Sequence, residues 1–194
     1  NSVTSKDIAD MWIHESFTCY SESVYLECQY GYNKSQIYIN GLSKNIMNDQ
    51  SIIGQYGVNN EGSGDMYYKG ALMLNTLRNV IDDDVKWWKI ILDYSNTYRH
   101  QIIDTETVIA FFNKASGMDL TPLFNQYLRH VNIPTLELRK KKNRVEYRWK
   151  TDEINFEMPV DINFKDKKIR LQATNNWKVS DFKVKTLNDI YSIF

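Results

Sequence analysis

The feature that most constrains this chain is a change of hydrophobic period at Ile133-Pro134. Before it, apolar residues recur at helical spacing, as in Ile8-Ala9-Met11-Trp12-Ile13-Phe17-Tyr20-Val24-Tyr25-Cys28 and Ala71-Leu72-Leu74-Leu77-Val80-Ile81. After it, apolar and polar residues alternate through Thr135-Leu136-Glu137-Leu138, Val145-Glu146-Tyr147-Arg148-Trp149, Val160-Asp161-Ile162-Asn163-Phe164, Ile169-Arg170-Leu171-Gln172 and Phe182-Lys183-Val184. A period near 3.6 belongs to amphipathic helices and a period of 2 to half-buried antiparallel strands. The expected class is therefore α+β: a helical domain over residues 1–131, then a small antiparallel β-sandwich-like domain over residues 132–194.

Punctuation residues divide the helical part. Thr4 or Ser5 is the expected cap of a first helix that Gly31 stops, and Asn33 caps a second helix running from Lys34 to about Asp49. Gly54, Gly57, Gly62 and Gly64 predict a loop over residues 54–65. A third helix starts near Met66 or Tyr67. The Asp82-Asp83-Asp84 run ends it and opens a fourth, Val85 to Tyr98, as a solvated cap rather than a metal site. Asp104 or Thr105 opens a fifth, closed by Gly117, and Asp119 or Thr121 with Pro122 opens a sixth, to about His130. In the β part, Asn143 and Lys165-Asp166-Lys167 fall at expected turns, and Leu187 to Phe194 opens a further strand or helix.

Composition excludes some partners. The 194 residues carry 24 Lys and Arg against 24 Asp and Glu, a net charge of zero. This gives no electrostatic reason for a nucleic-acid partner or an anionic membrane. No apolar run of about 18 residues exists to span a bilayer. The basic run Arg139-Lys140-Lys141-Lys142-Asn143-Arg144 lies between two strands and reads as a solvated hairpin turn. Cys19 and Cys28, if on one helix, stand about 13 Å apart. A disulfide needs Cα atoms within about 7 Å, so both read as thiols. Neither has a second Cys or a His at metal spacing.

Spacing alone reveals no complete catalytic constellation. His14-Glu15 invites a search for His-Glu-x-x-His, but position 18 is Thr, and His100 and His130 belong to other helices. His14 reads as a surface or supporting residue rather than a ligand. No nucleophile–base pair and no phosphate-binding glycine loop appears.

Two motifs carry a resemblance. Asn1-Ser2-Val3-Thr4, followed by Trp12-Ile13-His14-Glu15-Ser16-Phe17, resembles the segment of aminopeptidase N-type zinc metallopeptidases (gluzincins) that follows their His-Glu-x-x-His. There a Val-Thr precedes Trp-Leu-Asn-Glu-Gly-Phe. Tyr67-Tyr68-Lys69-Gly70 resembles the family's Tyr-x-Lys-Gly or Tyr-Lys-Gly at a helix start. The chain departs from the pattern at His14 and Ser16, where Asn and Gly are commoner.

The resemblance implies a thermolysin-like catalytic domain, of which this chain holds the mainly helical C-terminal part, followed by a β domain. It implies zinc as cofactor and peptides as substrates, hydrolysed at the N-terminal residue. Glu15 matches the third zinc ligand. Tyr68, directly before Lys69-Gly70, matches the hydroxyl that donates to the oxyanion, with Tyr67 as the fallback. Glu22, two helical turns beyond Glu15, matches a family glutamate with a supporting role. The two histidines, the general-base glutamate between them and the amine-binding Gly-x-Met-Glu-Asn would lie upstream of Asn1. On that reading this chain alone binds zinc poorly and is inactive. The alternative is a catalytically dead family member serving as an interaction scaffold.

Overall fold

The computed structural model describes residues 2–165, 167–184, 186–187 and 190–193. The chain is α+β and divides into two compact units, Asn1–Val131 and Asn132–Phe194.

The first unit opens with β1 (Val3–Ser5), a 3-10 turn (Ile8–Asp10) and α1 (Trp12–Tyr30). α2 (Tyr32–Gly41) and a second 3-10 turn (Leu42–Asn45) follow. After a long loop come α3 (Asp65–Ile81), α4 (Asp84–Thr97), β2 (Gln101–Ile103), α5 (Thr105–Ser116) and α6 (Thr121–Arg129). Several ends are set by the expected residues. Asp83 and Asp104 accept from the backbone N–H groups of Lys86 and Thr107. Gly117 closes α5 at φ 70°, a left-handed conformation that costs glycine little. Asp82 closes α3 in the same region, at φ 53°.

Three boundaries differ from the sequence reading, each for a tertiary reason. Thr4 and Ser5 do not cap a helix: they pair in parallel with Ile102 and Ile103, a partner about a hundred residues away. The first cap is Asp7, whose carboxylate accepts from Ala9 N–H. Asn33 lies inside α2, since Gly31 at φ 84° serves as the joint between α1 and α2. α2 stops at Gly41, well short of Asp49. The buried carboxylate of Asp65 accepts from Met47 and Asn48 N–H, both at 2.8 Å, and draws this stretch out of the helix.

The core of this unit is aromatic. Trp12, Trp87, Phe112 and Phe124 are fully buried. Phe17 stacks on Tyr94 with ring centroids 5.0 Å apart, and Phe112 meets Phe124 edge-on at 5.7 Å. Trp12 Nε1 donates to Thr105 Oγ1 at 2.7 Å, and Thr105 donates to the buried Asp10 at 2.6 Å. This fixes the start of α1 against the start of α5.

The second unit is two three-stranded antiparallel sheets. One is ordered β3 (Thr135–Lys141), β4 (Arg144–Lys150), β7 (Lys178–Lys183). The other is ordered β6 (Lys167–Thr174), β5 (Glu157–Phe164), β8 (Ile190–Ile193). Trp149, Phe156, Ile162 and Leu171 form its core, and Trp149 Nε1 on β4 donates to Met158 O on β5 at 2.7 Å. The basic run forms the β3–β4 hairpin, with Lys142 at φ 58°. Arg139 and Lys141 reach Glu146 at 2.6 and 2.7 Å. The hydrogen bonds from Lys141 and Arg139 hold that carboxyl below the usual range. Asn1, Asp166 and part of the Leu187–Phe194 segment lie outside the described residues.

Candidate active site

α1 presents one polar face. Glu15, Cys19 and Glu22 recur at i, i+4 and i+7, with Thr18 beside them, so they share one side of the helix. α2 adds Tyr38, the second 3-10 turn adds Leu42 and Asn45, and the first turn of α3 adds Tyr67 and Tyr68. Together they line a cleft of about 400 Å³.

The two tyrosines of the Tyr67-Tyr68 pair point differently, as successive helical residues must, about 100° apart. The Tyr67 phenol faces the Glu15 carboxylate in this cleft. Desolvation, then the charge on Glu15, holds its phenol above the ordinary value. The nearby charge of Glu61, in the glycine-rich loop, adds to this. Tyr68, with its ring centroid 6.5 Å from that of Tyr67, lies near Tyr38. The Tyr38 hydroxyl donates to Glu22 Oε2. That hydrogen bond, with desolvation, pushes the Tyr38 phenol up to about 12. Cys19 lies buried between the two pairs; burial, then the charge of Glu22, pushes its thiol up to about 11.

The close approach of α1 and α3 makes the Glu15–Tyr67 contact possible. Ser16 is fully buried, and its hydroxyl donates to Met66 O at 2.6 Å. Gly70 leaves room for it. Lys69 is fully buried, and its ammonium donates to His130 O and Val131 O at 3.1 and 2.8 Å, at the carbonyl end of α6. A cation there meets the negative end of the helix dipole. In Tyr67-Tyr68-Lys69-Gly70, Lys69 and Gly70 thus seat the helix that aims the tyrosines.

All four residues singled out from sequence, Glu15, Glu22, Tyr67 and Tyr68, line this one cleft. His14 does not. Its Nε2 accepts from Ser5 N–H at 2.9 Å, which occupies the lone pair a metal would need. Tyr38 escaped the sequence reading, and Ser16 entered it only as a departure from the family pattern. A lone tyrosine or serine on an amphipathic helix carries no signal until the partner helix is in place.

The donor set can be tested against zinc. Glu15 offers a carboxylate in an open cleft, and no cation pairs with it among the described residues. Zinc accepts carboxylate oxygen alongside nitrogen ligands, so this residue fits as one ligand. Among the described residues no group of three or more His, Cys, Asp or Glu is placed to hold a metal.

The arrangement is thus an α+β chain whose helical unit aims an acid and a phenol into one cleft. The fold is shared with solved zinc metallopeptidases. An M1 zinc metallopeptidase mutant from Deinococcus radiodurans, bound to the substrate Tyr-Ser-Ala, is 19% identical over 69% of this chain, with TM-score 0.57. A two-domain M1 zinc metallopeptidase mutant bound to L-tryptophan is 20% identical over 69% of this chain, with TM-score 0.59. Legionella pneumophila aminopeptidase A, solved with aspartic acid, is 13% identical over 99% of this chain, with TM-score 0.63. The likeness is one of fold. This chain spans 31% of the first two structures and 22% of the third. No family model matches the chain, and no curated protein does. No helix among the described residues is long and apolar enough to cross a membrane.

Proposed function

We propose that this chain is part of a zinc aminopeptidase that removes N-terminal residues from peptides. It contributes one metal ligand, Glu15, and an oxyanion donor. Residues 1–131 correspond to the helical C-terminal part of a thermolysin-like catalytic domain, and residues 132–194 to the β domain after it. The observation that supports the reading is the meeting of Glu15 and Tyr67 in one cleft, on a fold shared with M1 zinc metallopeptidases and an aminopeptidase A.

Zinc, when bound, supplies Lewis acidity at the scissile carbonyl and acidifies water. Glu15 offers it a carboxylate oxygen. Sequence favours Tyr68 as the oxyanion donor; the contact with Glu15 favours Tyr67. We assign the role to Tyr67, because a phenol that faces the Glu15 carboxylate would also face an oxygen held beside a metal on that carboxylate. Such a donor acts where charge develops and is worth on the order of 3 kcal/mol of barrier. Glu22 supports the site from two turns away. Catalytic zinc takes three protein ligands, so one carboxylate leaves this chain, by itself, with weak zinc binding and no turnover.

The test uses the full-length protein that carries this chain. Metal content and hydrolysis of aminoacyl reporter substrates are compared for wild type and Glu15→Ala. Loss of both in the variant is the expected result. Wild-type zinc content and turnover in Glu15→Ala would sink the reading.

A further inference from the structure

We propose that Tyr38 is a positioning residue of the metal site, acting through Glu22. The inference rests on the proposed function above and adds a residue from a different helix to it.

Two Tyr–Glu pairs line the cleft. In one, Tyr67 from α3 meets Glu15; in the other, Tyr38 from α2 meets Glu22. Both glutamates stand on the cleft face of α1, seven residues apart, a rise of about 10 Å. The second pair joins α2 to α1 through a hydroxyl and a carboxylate rather than through apolar packing. The buried stripe here is Ser35 and Ile39 of α2 and Leu42 just after it, at i, i+4 and i+7, which are 1%, 0% and 8% exposed. Tyr38, at i+3, stands at the edge of this stripe, half-exposed on the cleft wall, with its hydroxyl on Glu22 Oε2.

Glu22 itself is exposed, and an exposed glutamate samples many rotamers. No salt bridge holds it among the described residues. The phenol donates to one carboxylate oxygen and leaves the other available. A carboxylate restrained this way can accept a hydrogen bond from a metal-ligating group and hold that group in orientation. Outer partners of that kind set metal affinity by about 10–100-fold. Tyr38 spends its hydroxyl on Glu22, so its effect on the metal runs through Glu22.

The experiment measures zinc affinity of the full-length protein by competition with a chelator. The variants are Tyr38→Phe, Glu22→Gln, the double variant and Glu15→Ala. Tyr38→Phe is expected to weaken zinc about tenfold, Glu22→Gln at least as much, and the double variant no more than Glu22→Gln alone. A merely structural Tyr38 would lower the melting temperature but leave zinc affinity unchanged, and that result overturns the proposal. Losses that add in the double variant overturn it too, since Tyr38 would then act independently of Glu22. Glu15→Ala separates the two levels. If it abolishes zinc binding while Tyr38→Phe binds like wild type, only the role of Tyr38 falls. If Glu15→Ala binds zinc like wild type, the proposed function falls and Tyr38 with it.

Discussion

A Cβ placed on Gly70 would lie 1.9 Å from Ser16 Oγ, so α1 and α3 cross where one residue has no side chain and the other has a small hydrogen-bonding one. The residues next to this crossing, Glu15 on one helix and Tyr67 near it on the other, are the pair that meets in the cleft. Gly70→Ala therefore drives a methyl into Ser16, and overpacking of this kind costs about 1–3 kcal/mol. Ser16→Gly removes the two closest atoms and leaves only Ser16 Cα, at an ordinary 3.5 Å. Chemical denaturation should show Gly70→Ala destabilised and the double variant Gly70→Ala/Ser16→Gly largely recovered. Equal loss in both would mean that the crossing is not where the strain arises.

Arg78 on α3 ties α1, α2 and α4 to its own helix. Its guanidinium, 4% exposed, reaches Glu27 at 2.6 Å and Asp84 at 2.8 Å, and lies over the rings of Trp88 and Tyr32. The Asp triplet is thus more than a solvated cap, because Asp84 is spent on Arg78. The hydrogen bond from Arg78 holds the Asp84 carboxyl below its ordinary 3.8. A depressed folded-state value contributes stability that is present above 3.8 and lost as pH falls through the folded value. Arg78→Met should be less stable at pH 7 by about 2–3 kcal/mol, the lower side of a broken buried pair because Asp84 is well solvated. It should also lose less stability than wild type between pH 4 and 2. Parallel acid-unfolding curves for the two proteins would contradict this.

Asp65 holds the long loop. Its carboxylate is fully buried and takes Met47 N–H on one oxygen and Asn48 N–H on the other. Asp65→Asn keeps one acceptor and places a donor opposite a donor. Leaving a buried N–H without a partner costs about 1–3 kcal/mol. Amide hydrogen exchange read by NMR should accelerate at Met47 and Asn48 in that variant, while amides within α4 and α5 keep their rates. Unchanged protection at Met47 and Asn48 would show that the loop is held elsewhere.

Local signals and long-range ones divide what could be read in advance. Gly31, Gly117, Asp83 and Asp104 end or start helices through contacts within a few residues, so the sequence carries them directly. The switch from period 3.6 to period 2 places the change from helices to strands for the same reason. β1 and β2 could not be read. Each is three residues long, and neither has a pattern of its own until Val3–Ser5 meets Gln101–Ile103. The stop of α2 at Gly41 likewise depends on Asp65. At the cleft, Glu15, Glu22 and the Tyr67-Tyr68 pair were visible through motif spacing. Which tyrosine faces Glu15 was not, because adjacent helical residues differ only in direction, and direction is set by how Lys69 and Gly70 seat α3.

That choice of tyrosine yields the sharpest functional contrast. Tyr67 faces Glu15, and Tyr68 lies toward Tyr38. In the full-length protein, Tyr67→Phe removes the hydroxyl proposed to donate to the oxyanion and leaves the Glu15 carboxylate, the proposed metal ligand, in place. A donor used only in the transition state lowers kcat and kcat/KM together, here by about 10²–10³-fold, without changing zinc content. Tyr68→Phe removes a hydroxyl from the Tyr38 side of the cleft. It should change kcat by less than about tenfold, because substituting a hydroxyl that does not face developing charge leaves the barrier nearly intact. Steady-state kinetics with an aminoacyl reporter, run beside zinc analysis, decides between them. A collapse of kcat in Tyr68→Phe with Tyr67→Phe near wild type would return the role to Tyr68, and would mean that α3 turns by most of a residue when the rest of the site is assembled.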